Sequence, residues 1–227
     1  MHTLTCSARR TWTAEEYHRM IELGILREAG VELVMGEVRE QNAWGTPHRW
    51  TYEECERMVA GGIVDEDERL ELVDGDLVCM TPVGHRHIYT VNLLTEYLAE
   101  RARGRAILQV QSPLKFDSGR GLMPDLVLLR MHEDRYRSRP ASASDALLVA
   151  EVSDSSLDRD LAKAELYARA AIPEYWIVDV NRPAVLVHRD PARGEYTEVR
   201  EYRHGSALVS PALGGAEVQV HEVLGPP

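Results

Sequence analysis

Between Asp125 and Asp179 the chain alternates apolar strand-like runs with one helix, and two of the runs carry an acid. Asp125 opens the run Leu126-Val127-Leu128-Leu129, and Glu151 lies near the end of Ala146 to Val152. A charge on a strand of buried type costs free energy unless something offsets it. Ser155-Ser156 can cap a helix reaching about Ala171, with Pro173 enforcing its stop, and that helix carries Lys163. Tyr175 to Val180 is a further apolar strand. Continuous apolar runs alternating with helices predict an α/β fold whose sheet is covered on both faces.

The flanking segments fit that frame. Ile88, Val91, Leu94 and Leu98 recur at helical spacing and predict a helix from His85 to Arg103, ended by Gly104. Ala106 to Phe116 reads as one long strand, with Pro113 marking a bulge or an edge. The turn Asp117 to Gly121 follows, and residues 131–145 read as a polar surface loop. Ala184 to Arg189 and Tyr196 to Tyr202 predict a peripheral antiparallel pair around Arg193-Gly194, and Glu217 to Val220 a short strand. Tyr175-Trp176 reads as core, Asp179 as a turn cap, and His85 and His87 as surface or packing residues.

The front of the chain is duplicated. RTWTAEEYHRMIELGILRE from Arg10 is echoed by RWTYEECERMVAGGIVDEDE from Arg49, and VELVMGEV from Val31 by LELVDGDL from Leu70. Thr13 with Glu16, and Thr51 with Glu54, have capping-box spacing. Each copy therefore predicts a short helix, ending near Gly24 or Gly62, and then a hairpin. Asp74-Gly75 is a strong hairpin turn and Met35-Gly36 a poorer one. Two copies make a local duplication, not a solenoid.

Composition excludes some classes. The net charge of −11 argues against a sequence-independent DNA-coating protein. No apolar run is long enough to span a membrane, and the N-terminus lacks the apolar segment of a secretory signal. Cys6, Cys55 and Cys79 match neither a disulfide framework nor a zinc pattern, so a reducing cytoplasm is expected.

Asp125 and Glu151 on neighbouring strands could offer two hard oxygen ligands to a divalent cation such as Mg²⁺, with Lys163 beside them to balance charge or orient a water. Glu71, on the first strand of the second hairpin, is a third candidate acid. Taken singly, each acid would more simply face solvent, and Lys163 would sit on a solvated helix face.

The residues from about Trp50 to Val180 resemble the Uma-type restriction endonuclease family of the PD-(D/E)XK nuclease superfamily. The resemblance rests on Leu70 to Gly75, Thr81-Pro82 with His87, Pro124-Asp125, and Glu151-Val152-Ser153 leading to Lys163. It rests further on Tyr167 to Ala170 and on Ile172 to Asp179. It implies a restriction-endonuclease-like core, a mixed sheet flanked by helices, with an N-terminal duplicated helix-hairpin segment. It also implies metal-dependent hydrolysis of phosphodiester bonds in DNA using Mg²⁺ or Mn²⁺. Asp125, Glu151 and Glu71 would be metal ligands, and all three with Lys163 the catalytic set. Ser153 stands where the superfamily often has its lysine, and Lys163 on the next helix fits the family's variation. Ser153-Asp154-Ser155-Ser156 departs from the family's usual stretch after the second acid. Residues 1–48 are expected to be an appended module and 49–227 the nuclease domain. A catalytically silent binding or interaction module on the same fold is the alternative, and a homodimer is left open. Arg101, Arg103, Arg105, Arg135, Arg137 and Arg139 are candidates to grip phosphate.

Overall fold

The computed structural model describes residues 9–65, 68, 70–73, 75–79, 84–116 and 121–225. Cys6, Asp74 of the second hairpin turn, Thr81-Pro82, most of the turn after Phe116 and Pro226-Pro227 lie outside them. In order the elements are α1 (Ala14–Glu22), β1 (Val31–Val34), β2 (Glu37–Glu40), α2 (Tyr52–Ala60), β3 (Leu70–Val73), β4 (Asp76–Cys79) and α3 (His85–Ala102). There follow β5 (Ala106–Val110), β6 (Leu114–Lys115), β7 (Gly121–Leu122), β8 (Leu126–Arg130), β9 (Ala146–Ser153), α4 (Leu157–Arg169) and β10 (Glu174–Asp179). The chain ends in β11 (Ala184–Ala192), β12 (Glu195–Arg203), β13 (Ala207–Ser210), β14 (Ala216–Gln219) and α5 (Val220–Leu224). They fall into two compact units, Met1–Pro82 with Asp117–Leu122, and Val83–Phe116 with Met123–Pro227.

The first unit holds both copies of the repeat. Thr13 and Thr51 each accept a hydrogen bond from the backbone N–H of a glutamate three residues on, and that glutamate reaches back to the threonine N–H. Both boxes satisfy donors that a helix start leaves orphaned. β1–β2 turns through Met35 and Gly36, at φ 50° and 83°. Glycine takes that conformation freely and methionine does not, which is why this is the poorer turn. β3 pairs with β4 and, at Leu72, with Gly121 of β7. A Cβ on Gly121 would lie 2.4 Å from the Tyr52 ring, so that close approach requires glycine.

The second unit is built on a six-stranded sheet in the order β12-β11-β10-β9-β8-β5. β9 and β10 are parallel and every other neighbouring pair is antiparallel, giving a mixed sheet. Side chains alternate across the sheet, so residues two apart share a face. Leu126, Leu128, Leu148, Ala150, Val152, Trp176 and Val178 join Val91, Leu94 and Leu98 of α3 in one buried core. The intervening positions, Glu151 and Tyr175 among them, bond to α4.

Local expectations are sharpened at three places. The strand from Ala106 to Phe116 is broken: Gln111 takes φ 43° between β5 and β6. β11 and β12 form the expected antiparallel pair at one edge, and they belong to the main sheet because β11 pairs along the full length of β10. The C-terminal short strand β14 has an antiparallel partner in β13, a four-residue run not expected as a strand. Tyr175 and Trp176 are fully buried, and Asp179 accepts from the N–H groups of Asn181 and Arg182, as its position suggested.

Candidate active site

The register of β8 and β9 brings the two acids together. Leu126 lies opposite Ala150, so Asp125, one residue earlier, meets Glu151. The backbone N–H of Asp125 donates to Glu151 Oε2 at 3.4 Å, and the N–H of Val152 donates to Asp125 Oδ2 at 2.9 Å. Each acid is thus tied to the other's strand. Both are buried, Asp125 8% and Glu151 4% exposed.

α4 supplies the cation. Asp160, Lys163 and Tyr167 stand at i, i+3 and i+7, one helical face, and all three are buried. Lys163 Nζ donates to Glu151 Oε1 at 3.0 Å, and the Tyr167 hydroxyl donates to the same oxygen at 2.8 Å. Asp160 Oδ1 lies 3.8 Å from Lys163 Nζ, and its other oxygen accepts from the Ser156 hydroxyl at 2.5 Å. Ser156 was expected to cap α4 through its side chain; its hydroxyl is instead spent on Asp160. Burial raises the Asp160 carboxyl against the opposing pull of Lys163 and Ser156.

Asp125 is gripped from the opposite side. His87 Nε2 is 3.1 Å from Asp125 Oδ1, and Gln111 Nε2 donates to the same oxygen at 3.3 Å. His87 Nδ1 lies 2.9 Å from the Val152 carbonyl, so both ring nitrogens face acceptors, an arrangement that suits the doubly protonated ring. Burial pulls the His87 pKa down, but the hydrogen bond and charge of Asp125, with the Val152 carbonyl, outweigh it and leave it raised. Burial pushes Asp125 up, and its bonds from His87, Val152 and Gln111 more than reverse that, holding it ionised below the usual carboxylate range.

Of the four residues singled out in the sequence, the second unit brings together Asp125, Glu151 and Lys163. Glu71 is buried on β3 of the first unit. His87 is a correction: it binds an acid of the cluster and is not an incidental surface residue. Gln111, Asp160 and Tyr167 were not named as site residues, and Tyr167 entered only through the motifs of the resemblance. The i, i+3, i+7 spacing on α4 was the available signal for two of them. Gln111 had none, because the backbone turn that aims it at Asp125 interrupts an apparently continuous strand. Three arginines suggested for phosphate are engaged within the fold: Arg101 on Glu222 and the Tyr97 ring, Arg105 on the Leu213 carbonyl, and Arg139 on Asp145.

Residues 51–221 match the family described as "Uma2: Putative restriction endonuclease". The chain belongs to this family. A similar fold is found in the crystal structure of "a putative nuclease belonging to DUF820 from Anabaena variabilis ATCC 29413". The two share 12% identity at a TM-score of 0.60, over 77% of this chain and 97% of that one. Among curated proteins none matches the chain. Membership in the Uma2 family and the mixed sheet flanked by helices agree with the resemblance read from the sequence.

The donor set fits a hard cation. Asp125 and Glu151 bring carboxylate oxygens together from neighbouring strands, the hard donor type that suits a divalent cation. Among the described residues no group of three or more His, Cys, Asp or Glu is placed to hold a metal ion by itself. Two carboxylates with the remaining positions left to water and phosphate is the usual arrangement for Mg²⁺.

Proposed function

We propose that this Uma2 protein is a metal-dependent endonuclease that hydrolyses phosphodiester bonds in DNA. The observation that carries this reading is the buried contact of Lys163 with Glu151 on one side of the Asp125–Glu151 pair. Asp125 and Glu151 would hold a divalent ion, Mg²⁺ or Mn²⁺. Such an ion supplies Lewis-acid charge beside a phosphate oxygen and lowers the pKa of water.

The chain's own groups do the rest. His87, Gln111 and the Val152 N–H keep Asp125 ionised and fixed in direction. Tyr167 and Lys163 orient Glu151 through one oxygen and leave the other toward Asp125. The Lys163 ammonium positions the attacking water and offsets charge that develops on the phosphoryl oxygens. The family resemblance gives Glu71 a supporting carboxylate role, which Glu71→Gln tests.

The test is cleavage of supercoiled plasmid with Mg²⁺ or Mn²⁺. Asp125→Asn and Lys163→Met should each lower the rate by about 10²–10³, the usual loss when a charge-stabilising group is removed. Cleavage that survives Asp125→Asn rules this site out. The closure of both acids and Lys163 from solvent favours a second reading, a silent binding module on the same fold. Wild-type protein that binds DNA and never cuts it, with either metal, would decide for that reading.

A further inference from the structure

The two copies of the repeat in the first unit contact each other reciprocally. Arg9 and Arg10 precede the first copy as Pro47 and His48 precede the second, and Val38-Arg39 correspond to Leu77-Val78. The N–H of Arg10 donates to the Leu77 carbonyl at 2.7 Å, and the N–H of His48 donates to the Val38 carbonyl at 2.8 Å. Arg9 forms an antiparallel bridge with Val78, and Pro47 with Arg39. Each lead-in strand therefore pairs with the second hairpin strand of the other copy's pattern.

The side-chain arrangement repeats within each copy, and the copies meet directly at their tryptophans. Trp12 and Trp50 meet across the copies with ring centroids 5.2 Å apart, and within each copy the tryptophan backbone N–H donates at 2.8 Å to the carbonyl of the hairpin glycine, Gly36 or Gly75. A basic side chain sits against each ring, Arg10 over Trp12 and His48 edge-on to Trp50. Each of these side chains also contacts the capping-box glutamate of its adjoining helix, Arg10 meeting Glu16 and His48 meeting Glu54. Met20 and Met58 are both fully buried in one core shared by the two copies. Contacts in which i meets j and the equivalent of j meets the equivalent of i are the mark of a two-fold subunit interface.

We infer that residues 9–47 occupy, within one chain, the seat of a second subunit. The helix-hairpin of residues 48–79 is a two-fold pairing module, and this chain carries its own partner for it. The partner that surface fits is another helix-hairpin of the same pattern, so a second copy of the chain takes the seat only when the first copy leaves it. One departure from symmetry favours the internal partner. The Leu23 side chain lies 2.4 Å from where a Cβ on Gly61 would stand, and Arg57 donates to the Leu23 carbonyl at 2.6 Å. Leucine in one copy fills the space that glycine leaves in the other, whereas two second copies would set glycine against glycine. The family match beginning at residue 51 leaves the first copy outside it, as expected for an added internal partner.

A site-specific protease sequence inserted after Asn42 in the full chain, beside the exposed Trp44, tests this. After cleavage the N-terminal fragment should stay bound through gel filtration at tens of micromolar. With Met20→Asp in the same cleavable chain the fragment should come away and the remaining particle should double in mass by sedimentation velocity. Loss of the fragment from the unsubstituted nicked protein would overturn the inference. So would a remaining particle of unchanged mass, or one that loses its far-ultraviolet dichroism instead of pairing.

Discussion

Glu151 Oε1 receives two buried donors, and the cost of losing one is calculable in order of magnitude. Tyr167→Phe deletes a buried hydrogen bond to the Glu151 side chain and should destabilise the fold by about 1–3 kcal/mol in urea unfolding. Lys163 keeps its own contact in that variant, so stability should fall further than cleavage does. His188 contributes to the acid branch of stability. Burial lowers its pKa, and the backbone of Tyr175 and Leu186 offsets only part of that. A base with a depressed folded pKa contributes stability that is complete above its unfolded pKa, about 6.5, and declines as pH falls from there toward the folded value. His188→Phe should therefore flatten the loss of stability below about pH 6.5 in denaturation curves taken across pH. An unchanged acid branch would assign the loss to other groups. Cys55 shows the opposite outcome of burial: its thiol is pushed up to about 12, which makes it a packing residue and not a nucleophile.

The helices were legible as elements because their signals are local. Thr13-Glu16 and Thr51-Glu54 specify their own caps through backbone groups three residues away, and the structure shows both boxes closed. Thr13→Ala and Thr51→Ala should each cost about 1 kcal/mol, measured by denaturant unfolding, and by similar amounts since the two caps share one geometry. A cost confined to one copy would mean that the other helix is held by packing alone. The start of α4 was less legible. Ser156 stands at its N-cap but bonds a buried carboxylate, a preference set by where Asp160 points after folding. β5 and β6 likewise read as one strand, because the apolar run continues through a residue whose backbone turns to positive φ.

At the scale of the whole molecule, a cation held by Asp125 and Glu151 must stabilise the folded state by linkage. Mg²⁺ at 100 times its Kd should contribute about 2.7 kcal/mol and raise Tm, and Asp125→Asn should abolish the rise. An unchanged Tm in the wild type at high Mg²⁺ would remove the metal from the proposal. No helix among the described residues is long and apolar enough to cross a membrane. By itself the sequence determined the α/β class and the duplicated helix-hairpin, and it marked Asp125, Glu151 and Lys163 as misplaced charges, since apolar period, capping spacing and charge are written residue by residue. Only the tertiary structure decided that Lys163 is buried on Glu151, that His87 and Gln111 hold Asp125, and that the two copies clasp each other reciprocally. Those facts depend on strand register, on one backbone turn and on which helix face meets the sheet, and each joins residues far apart in the chain.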